Sequence, residues 1–349
     1  MATSSASVDS GRTAQEQIWS PPSRPQIWTD GIFRRLCLVF AAFTILLLVG
    51  LVIQIAVESV PAFKEFGLGF ITGSTWDPNT NQYAILPEIW GTLYTSLLAL
   101  LIGSVFGVAA AVFLSEGYMS DGIYNILKKM NLHIGPFWGK LPERMELLLK
   151  NLIELLAAVP SVVYGLWGIF VIIPLIRPWC NMLHDKLGWF PLFSTGLSGP
   201  GILPASFVLA IMILPTITAI SRDALVAVPP KLRMAAYGLG ATRWETILSV
   251  LLPTASRGIF GGIVLAFGRA LGETMALAML VGNAGRLTVS LFSPGNTLAA
   301  LLANSFPEAG KREIPVLMYA SLVLLAITLA VNIVGALILA RAAAQAEAK

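Results

Sequence analysis

MAAYGLGATRWETILSVLLP, residues 234–253, lies between two apolar stretches that are each long enough to cross a bilayer. Its punctuation predicts two short helices joined at a glycine and leading straight into a transmembrane span. Pro229 and Pro230 suit a first helical turn, where a missing N–H is no loss. Gly238 and Gly240 supply the left-handed turn that ends the first helix. Thr242, followed three residues later by Glu245, fits a capping box that starts the second. Pro253 is expected to interrupt the chain before the next apolar run. So compact an element, in a chain otherwise made of spans, is the expected place for a partner to dock.

The surrounding composition belongs in lipid. Of 349 residues, 56% are hydrophobic and only 12% charged, against about a quarter charged in soluble domains. Apolar runs of membrane-crossing length fall near 35–57, 89–114, 148–176, 202–221, 258–283 and 314–340. The expectation is an all-α integral membrane protein of six spans. Residues 1–34 form a polar N-terminal tail, 35–340 the transmembrane domain with its loop at 229–253, and 341–349 a short C-terminal tail. The Ser-, Pro- and Gln-rich start is expected to be disordered. The first apolar run reads as a retained span, because it is too long for a signal-peptide core.

Orientation follows from the basic residues. Of the 23 Lys and Arg, 16 fall on one alternating side, including Arg34, Arg35, Lys128, Lys150, Arg222, Arg233 and Arg243, and only 6 on the other. The positive-inside bias places both termini and the 229–253 loop in the cytoplasm. The remaining one, Arg269, lies within a span.

Several chemistries are not encoded. Cys37 and Cys180 fall at opposite ends of spans, as do His133 and His184, so no disulfide, metal site or nucleophile–histidine pair is expected. Gly139-Lys140 and Gly310-Lys311 lack the upstream glycine and following Ser/Thr of a phosphate loop. The chain is not an enzyme on this reading and needs no cofactor. If ATP drives it, a separate chain hydrolyses the ATP.

Arg269 and Glu273, four residues apart, are expected on one face of the fifth span together with Gly258, Gly262, Ala266 and Ala276. Arg269 falls about eleven residues into that run, roughly 16 Å deep at 1.5 Å per residue. Exposing it to lipid there costs about 2.5 kcal/mol or more. The pair either neutralises itself and fixes packing, or Arg269 meets an anion in transit while Glu273 balances it at rest. A guanidinium suits the second role, being always charged and able to give phosphate paired donors. Pro160-Ser161 breaks the third span, making Ser161 and Tyr164 candidate path-lining hydroxyls. Pro215 with Thr216 and Thr218 invites the same reading, and Glu154 reads as reaching the membrane interface. Ile123, Leu127, Met130 and Ile134 have the spacing of a helix lying on the membrane surface.

The 234–253 stretch resembles the pattern of ABC importer permeases: EAA, three residues, Gly, nine residues, then Ile-x-Leu-Pro. Ala235, Ala236, Gly240, Leu252 and Pro253 match, Met234 stands in place of the Glu, and Val250 in place of the Ile. IELLAAVPSVVYGLWG in span three, GGIVLAFGRALGETMALAMLVGN, SLFSPGNTLAALLANSFPEA and FITGSTWDP together resemble the PstC family of phosphate permeases, from about residue 35 to 340. The resemblance implies the type I ABC importer permease fold and a multi-pass protein of a bacterial-type inner membrane. It implies that the loop, with Met234, Ala235, Ala236, Gly240, Arg243, Glu245, Leu252 and Pro253, docks on an ATPase. The implied partners are a PstA-like second permease, a pair of PstB-like ATP-binding subunits and an extracytoplasmic phosphate-binding protein. Methionine at 234 removes a carboxylate from the docking helix, and Arg233, Arg243 or Glu245 could supply charge there instead. A permease for sulfate or molybdate, or a non-conducting regulatory membrane subunit, would share the loop.

Overall fold

The computed structural model describes residues 24–118 and 141–347. The surface segment expected at 123–134 and the first 23 residues of the expected tail lie outside them. Among the described residues regular structure is helical, apart from one bridge between Asp77 and Gln82.

The chain divides into two compact units, residues 1–54 and 55–349. Helix α1, Arg24–Phe66, runs across the division and starts ahead of the apolar run that announced it. In the first unit its side chains are apolar on nearly every side and exposed, the pattern of a helix meant for lipid or another protein.

The second unit holds the other five candidate spans. After the short helix α2 (Gly69–Thr72) come α3 (Leu86–Ser115), α4 (Leu141–Ala158), α5 (Ser161–Leu187) and α6 (Ile202–Val226). Then follow α7 (Pro230–Gly238), α8 (Arg243–Leu271), α9 (Met275–Leu280), α10 (Leu298–Ser305) and α11 (Glu313–Glu347). Among the described residues six helices, α1, α3, α5, α6, α8 and α11, are long and apolar enough to cross a membrane. The third differs from expectation. Its run breaks at Val159-Pro160, and the crossing helix is α5, ending at Leu187.

Helix α6 is the axis of the bundle, with Ile213 and Ile217 fully buried. It packs on α3 through a stripe of small residues, Ala99, Gly103, Gly107 and Ala111, all buried. A Cβ on Gly107 would lie 2.8 Å from Ile217 Cγ2, and one on Gly103 3.0 Å from Ile213 Cγ1. Backbones this close gain dispersion contact that larger residues would forbid. Thr218, expected as a possible path residue, instead donates from Oγ1 to the Gly107 carbonyl at 3.2 Å and ties α6 to α3. On its other side α6 meets α8, where Gly262 faces Ile220.

Residues 281–297 fold back onto the ends of α3 and α6. Gly282 and Asn283 take positive φ of 97° and 52° to make the turn. Leu203 N–H donates to the Leu291 carbonyl, and Trp90 Nε1 to the Thr288 carbonyl, each at 2.8 Å. Thr297 then caps α10, which is buried at its start.

Candidate functional site

Two regions carry the candidate residues. The first is where two broken helices meet. Pro160 lacks an N–H, so the Leu156 carbonyl four residues earlier loses its helical partner. The Tyr164 hydroxyl, on a side chain only 6% exposed, donates to that carbonyl at 2.8 Å. Tyr164 thus closes the gap that proline opens, and its proton is already committed. Ser161 starts α5, half-buried. Within α5 a π turn, Gly168–Ile172, widens the helix.

The second break lies in the fifth span. Helix α8 ends at Leu271, Gly272 caps it, and Glu273 and Thr274 are non-helical before α9 begins. This corrects the expected arrangement of Arg269 and Glu273 on one helical face. The buried face of α8 is Ala255, Ile259, Gly262, Ala266 and Ala270. Arg269, at the edge of that face, is exposed, while Glu273 sits half-buried in the break. Among the described residues no ion pair joins them, because four residues no longer means one turn once the helix ends between them. Helices α5 and α9 make the junction close: a Cβ on Gly165 would lie 2.7 Å from Met279 Sδ and 3.4 Å from Ala276 Cα.

Tyr164→Phe separates a structural role of the hydroxyl from a substrate-binding one. It leaves the Leu156 carbonyl without its partner, which costs about 1–3 kcal/mol. The expected result is a lower thermal unfolding midpoint in detergent with transport retained. Lost transport at unchanged stability would instead make Tyr164 a substrate ligand.

The second region is the 229–253 loop. Pro229 and Pro230 open α7 as expected. Its end is a Schellman motif: Ala241 N–H donates to the Ala236 carbonyl at 3.1 Å and Gly240 N–H to the Tyr237 carbonyl at 3.0 Å. Gly240 alone takes the left-handed conformation, φ +85°, whereas Gly238 remains the last helical residue. The Thr242/Glu245 capping box is present, with Thr242 N–H donating to Glu245 Oε2 at 2.7 Å and Glu245 N–H to Thr242 Oγ1 at 3.3 Å. Pro253 does not interrupt the chain. A π turn at Ile247–Leu251, closed by Leu252 N–H donating to the Ile247 carbonyl, precedes it and the helix runs on to Leu271. Such a turn makes room for a ring that would otherwise strike the carbonyl of Ser249.

Two of the candidate loop residues face inward: Ala236 is buried, and Arg243 Nη2 donates to the Glu116 carbonyl at 2.7 Å while its guanidinium lies 4.9 Å from the centre of the Tyr118 ring. Glu245 is exposed and engaged in the cap. Arg233 pairs with the Glu116 carboxylate at 3.0 Å. Facing outward are Leu232, Met234, Tyr237, Leu239 and Trp244, an apolar set on which Leu239 is 90% exposed. Ala235 lies with them, and Pro253 is exposed beyond. Glu154, elsewhere on α4, pairs with Lys150 at 3.6 Å, and both are exposed.

Sequence reading missed Glu116. A single carboxylate at the end of a span reads as an interfacial residue, and its partners are more than a hundred positions away. It also missed the Ala99-Gly103-Gly107-Ala111 stripe, although four small residues at a four-residue spacing were in plain sight.

A family model described as binding-protein-dependent transport system inner membrane component matches residues 132–343. The chain is 38% identical to the phosphate transport system permease protein PstC of Haemophilus influenzae, over 90% of this chain and 95% of that one. It is 36% identical to the PstC protein of Xylella fastidiosa, over 89% and 91%. A solved bacterial ABC transporter that imports the acidic polysaccharide alginate shares the fold, with a TM-score of 0.54 at 14% identity, covering 90% of this chain and 98% of that one. The chain is a multi-pass membrane protein that belongs to the binding-protein-dependent transport system inner membrane components, in the group of PstC permeases.

Proposed function

We infer that this chain is the permease half of an ATP-driven importer of inorganic phosphate. The observation that carries the reading is Arg269: an exposed guanidinium at the end of α8, beside two broken helices, in a protein whose other exposed span residues are largely apolar. A charge so placed is costly in lipid, by about 2.5 kcal/mol or more, and so faces a second subunit or a water-filled path. The named relatives supply phosphate as the anion.

The chain pairs with a second, PstA-like permease, since one docking loop engages one ATPase subunit. Two PstB-like subunits hydrolyse ATP, and an extracytoplasmic phosphate-binding protein delivers the substrate. The exposed apolar set Leu232, Met234, Tyr237 and Leu239 is the surface that meets the ATPase. The distribution of basic residues supports a bacterial-type inner membrane with both termini and the loop in the cytoplasm. ATP binding closes the ATPase pair, and the loops pass that motion to the spans, which open alternately to either side.

Reconstitution of the four components in liposomes, with ATP on the ATPase side, tests the reading. Uptake of labelled phosphate that depends on ATP and resists excess sulfate or molybdate is the expected result. Uptake of those anions in place of phosphate would reassign the substrate. ATP hydrolysis without any uptake would make the chain a regulatory subunit.

A further inference from the structure

The docking loop is covalently continuous with two spans, α6 before it and α8 after it. A third span, α3, is tied to it through Glu116. Glu116 ends α3, its N–H donating to the Val112 carbonyl, and its side chain is only 2% exposed. It holds the loop by two different groups. Its carboxylate pairs with Arg233 of α7 at 3.0 Å, and its backbone carbonyl accepts from Arg243 in the first turn of α8 at 2.7 Å. Both helices of the loop therefore converge on the end of α3. Beneath them Ala111 of α3 packs with Leu225 of α6 and with Ile247 and Leu251 of α8, so the polar joint sits on an apolar hinge.

We propose that Glu116 is a positioning residue for coupling: it makes α3 move with the docking loop when the ATPase moves. The proposal rests on the reading of the loop as the ATPase contact. The geometry of the pair suits a joint better than a static brace. Arg233 meets Glu116 Oε1 at ion-pair distance but out of line for a hydrogen bond, leaving that oxygen and Arg233 Nε buried without hydrogen-bond partners. A buried pair so incompletely satisfied adds little to stability, yet removing one partner leaves the other charge uncompensated. It is a contact whose value lies in specifying where the loop sits. The carbonyl bond to Arg243 does not depend on the Glu116 side chain, so the loop stays attached at α8 when the carboxylate is lost.

The test uses the assembled transporter in liposomes, with wild type alongside. For Glu116→Gln, the ATP-binding subunits are expected to copurify as in wild type and to hydrolyse ATP. Phosphate taken up per ATP is expected to fall by about tenfold, within the range typical of coupling between sites. Glu116→Arg combined with Arg233→Glu, which restores an opposite-charge pair, should recover most of that ratio, whereas Glu116→Arg alone should not. An unchanged uptake-to-hydrolysis ratio in Glu116→Gln overturns the proposal. So does a loss of the ATP-binding subunits that the reversed pair does not repair, which would mean a purely structural role. A wild-type complex that hydrolyses ATP without moving phosphate would fail the functional reading itself, and the proposal with it.

Discussion

Arg269→Gln is expected to abolish phosphate uptake in the reconstituted transporter while leaving subunit assembly and basal ATP hydrolysis intact. Within the chain Arg269 is exposed and forms no ion pair with Glu273 among the described residues. The neutral variant therefore removes no partner that the fold depends on. What it removes is a permanent charge and a fork of donors that match phosphate oxygens. A hydrogen bond to a charged group contributes about 1.5–3 kcal/mol. Losing a bidentate pair of them therefore slows passage by roughly a hundredfold or more, at 1.4 kcal/mol per factor of ten. Arg269→Lys keeps the charge without the fork and should retain a measurable rate. Full uptake in Arg269→Gln, at normal expression, would sink the anion-path role.

The second large effect is expected at the tip of the docking loop. Leu239 is 90% exposed and follows the last helical residue of α7, held there by the Gly240 turn. Burying such a side chain in an interface contributes about 1.5–3 kcal/mol, and an aspartate in its place would have to be desolvated as well. Leu239→Asp should weaken association with the ATP-binding subunits by more than tenfold and reduce uptake in proportion. The permease itself should fold normally, because among the described residues this side chain is almost wholly uncovered. Copurification and a titration of ATP-binding subunit against immobilised permease measure the effect. Wild-type affinity in that variant would place the docking surface elsewhere on the loop, with Trp244 and Tyr237 the next residues to change.

These two sites were legible in the sequence to different depths. The loop was read almost whole because its signals are local. Proline at a first turn, a capping threonine with its glutamate and a left-handed glycine act within a few residues, and neighbours elsewhere have little say. The misreadings there were also local: Gly238 was credited with a turn that Gly240 makes, and Pro253 with a break that a π turn absorbs. The six apolar runs were legible for the same reason, since lipid imposes length and hydropathy on each separately. The Arg269 region was harder. A uniform period of 3.6 residues put Arg269 and Glu273 on one face, but nothing in the spelling GRALGETM fixes where the helix stops. That stop depends on α9 packing against Gly165 and Gly168 of another span. Tyr164 was read as a candidate path-lining hydroxyl because its acceptor, the Leu156 carbonyl, is left open only once Pro160 has broken the helix. Glu116 was invisible because its meaning lies in Arg233 and Arg243.

The π turn at Ile247–Leu251 has a consequence for the direction in which Arg269 points. A π turn takes up one residue more than an α turn, and each residue of helix is worth about 100° of rotation. Everything downstream in α8 is therefore out of phase with the docking loop by about that angle, compared with a helix lacking the extra residue. The compass bearing of Arg269 is set in part near the loop, 18 to 22 residues away. A regular α8 of the same composition would carry the same guanidinium about 1.5 Å farther along, turned by about a quarter of a circle from its present bearing.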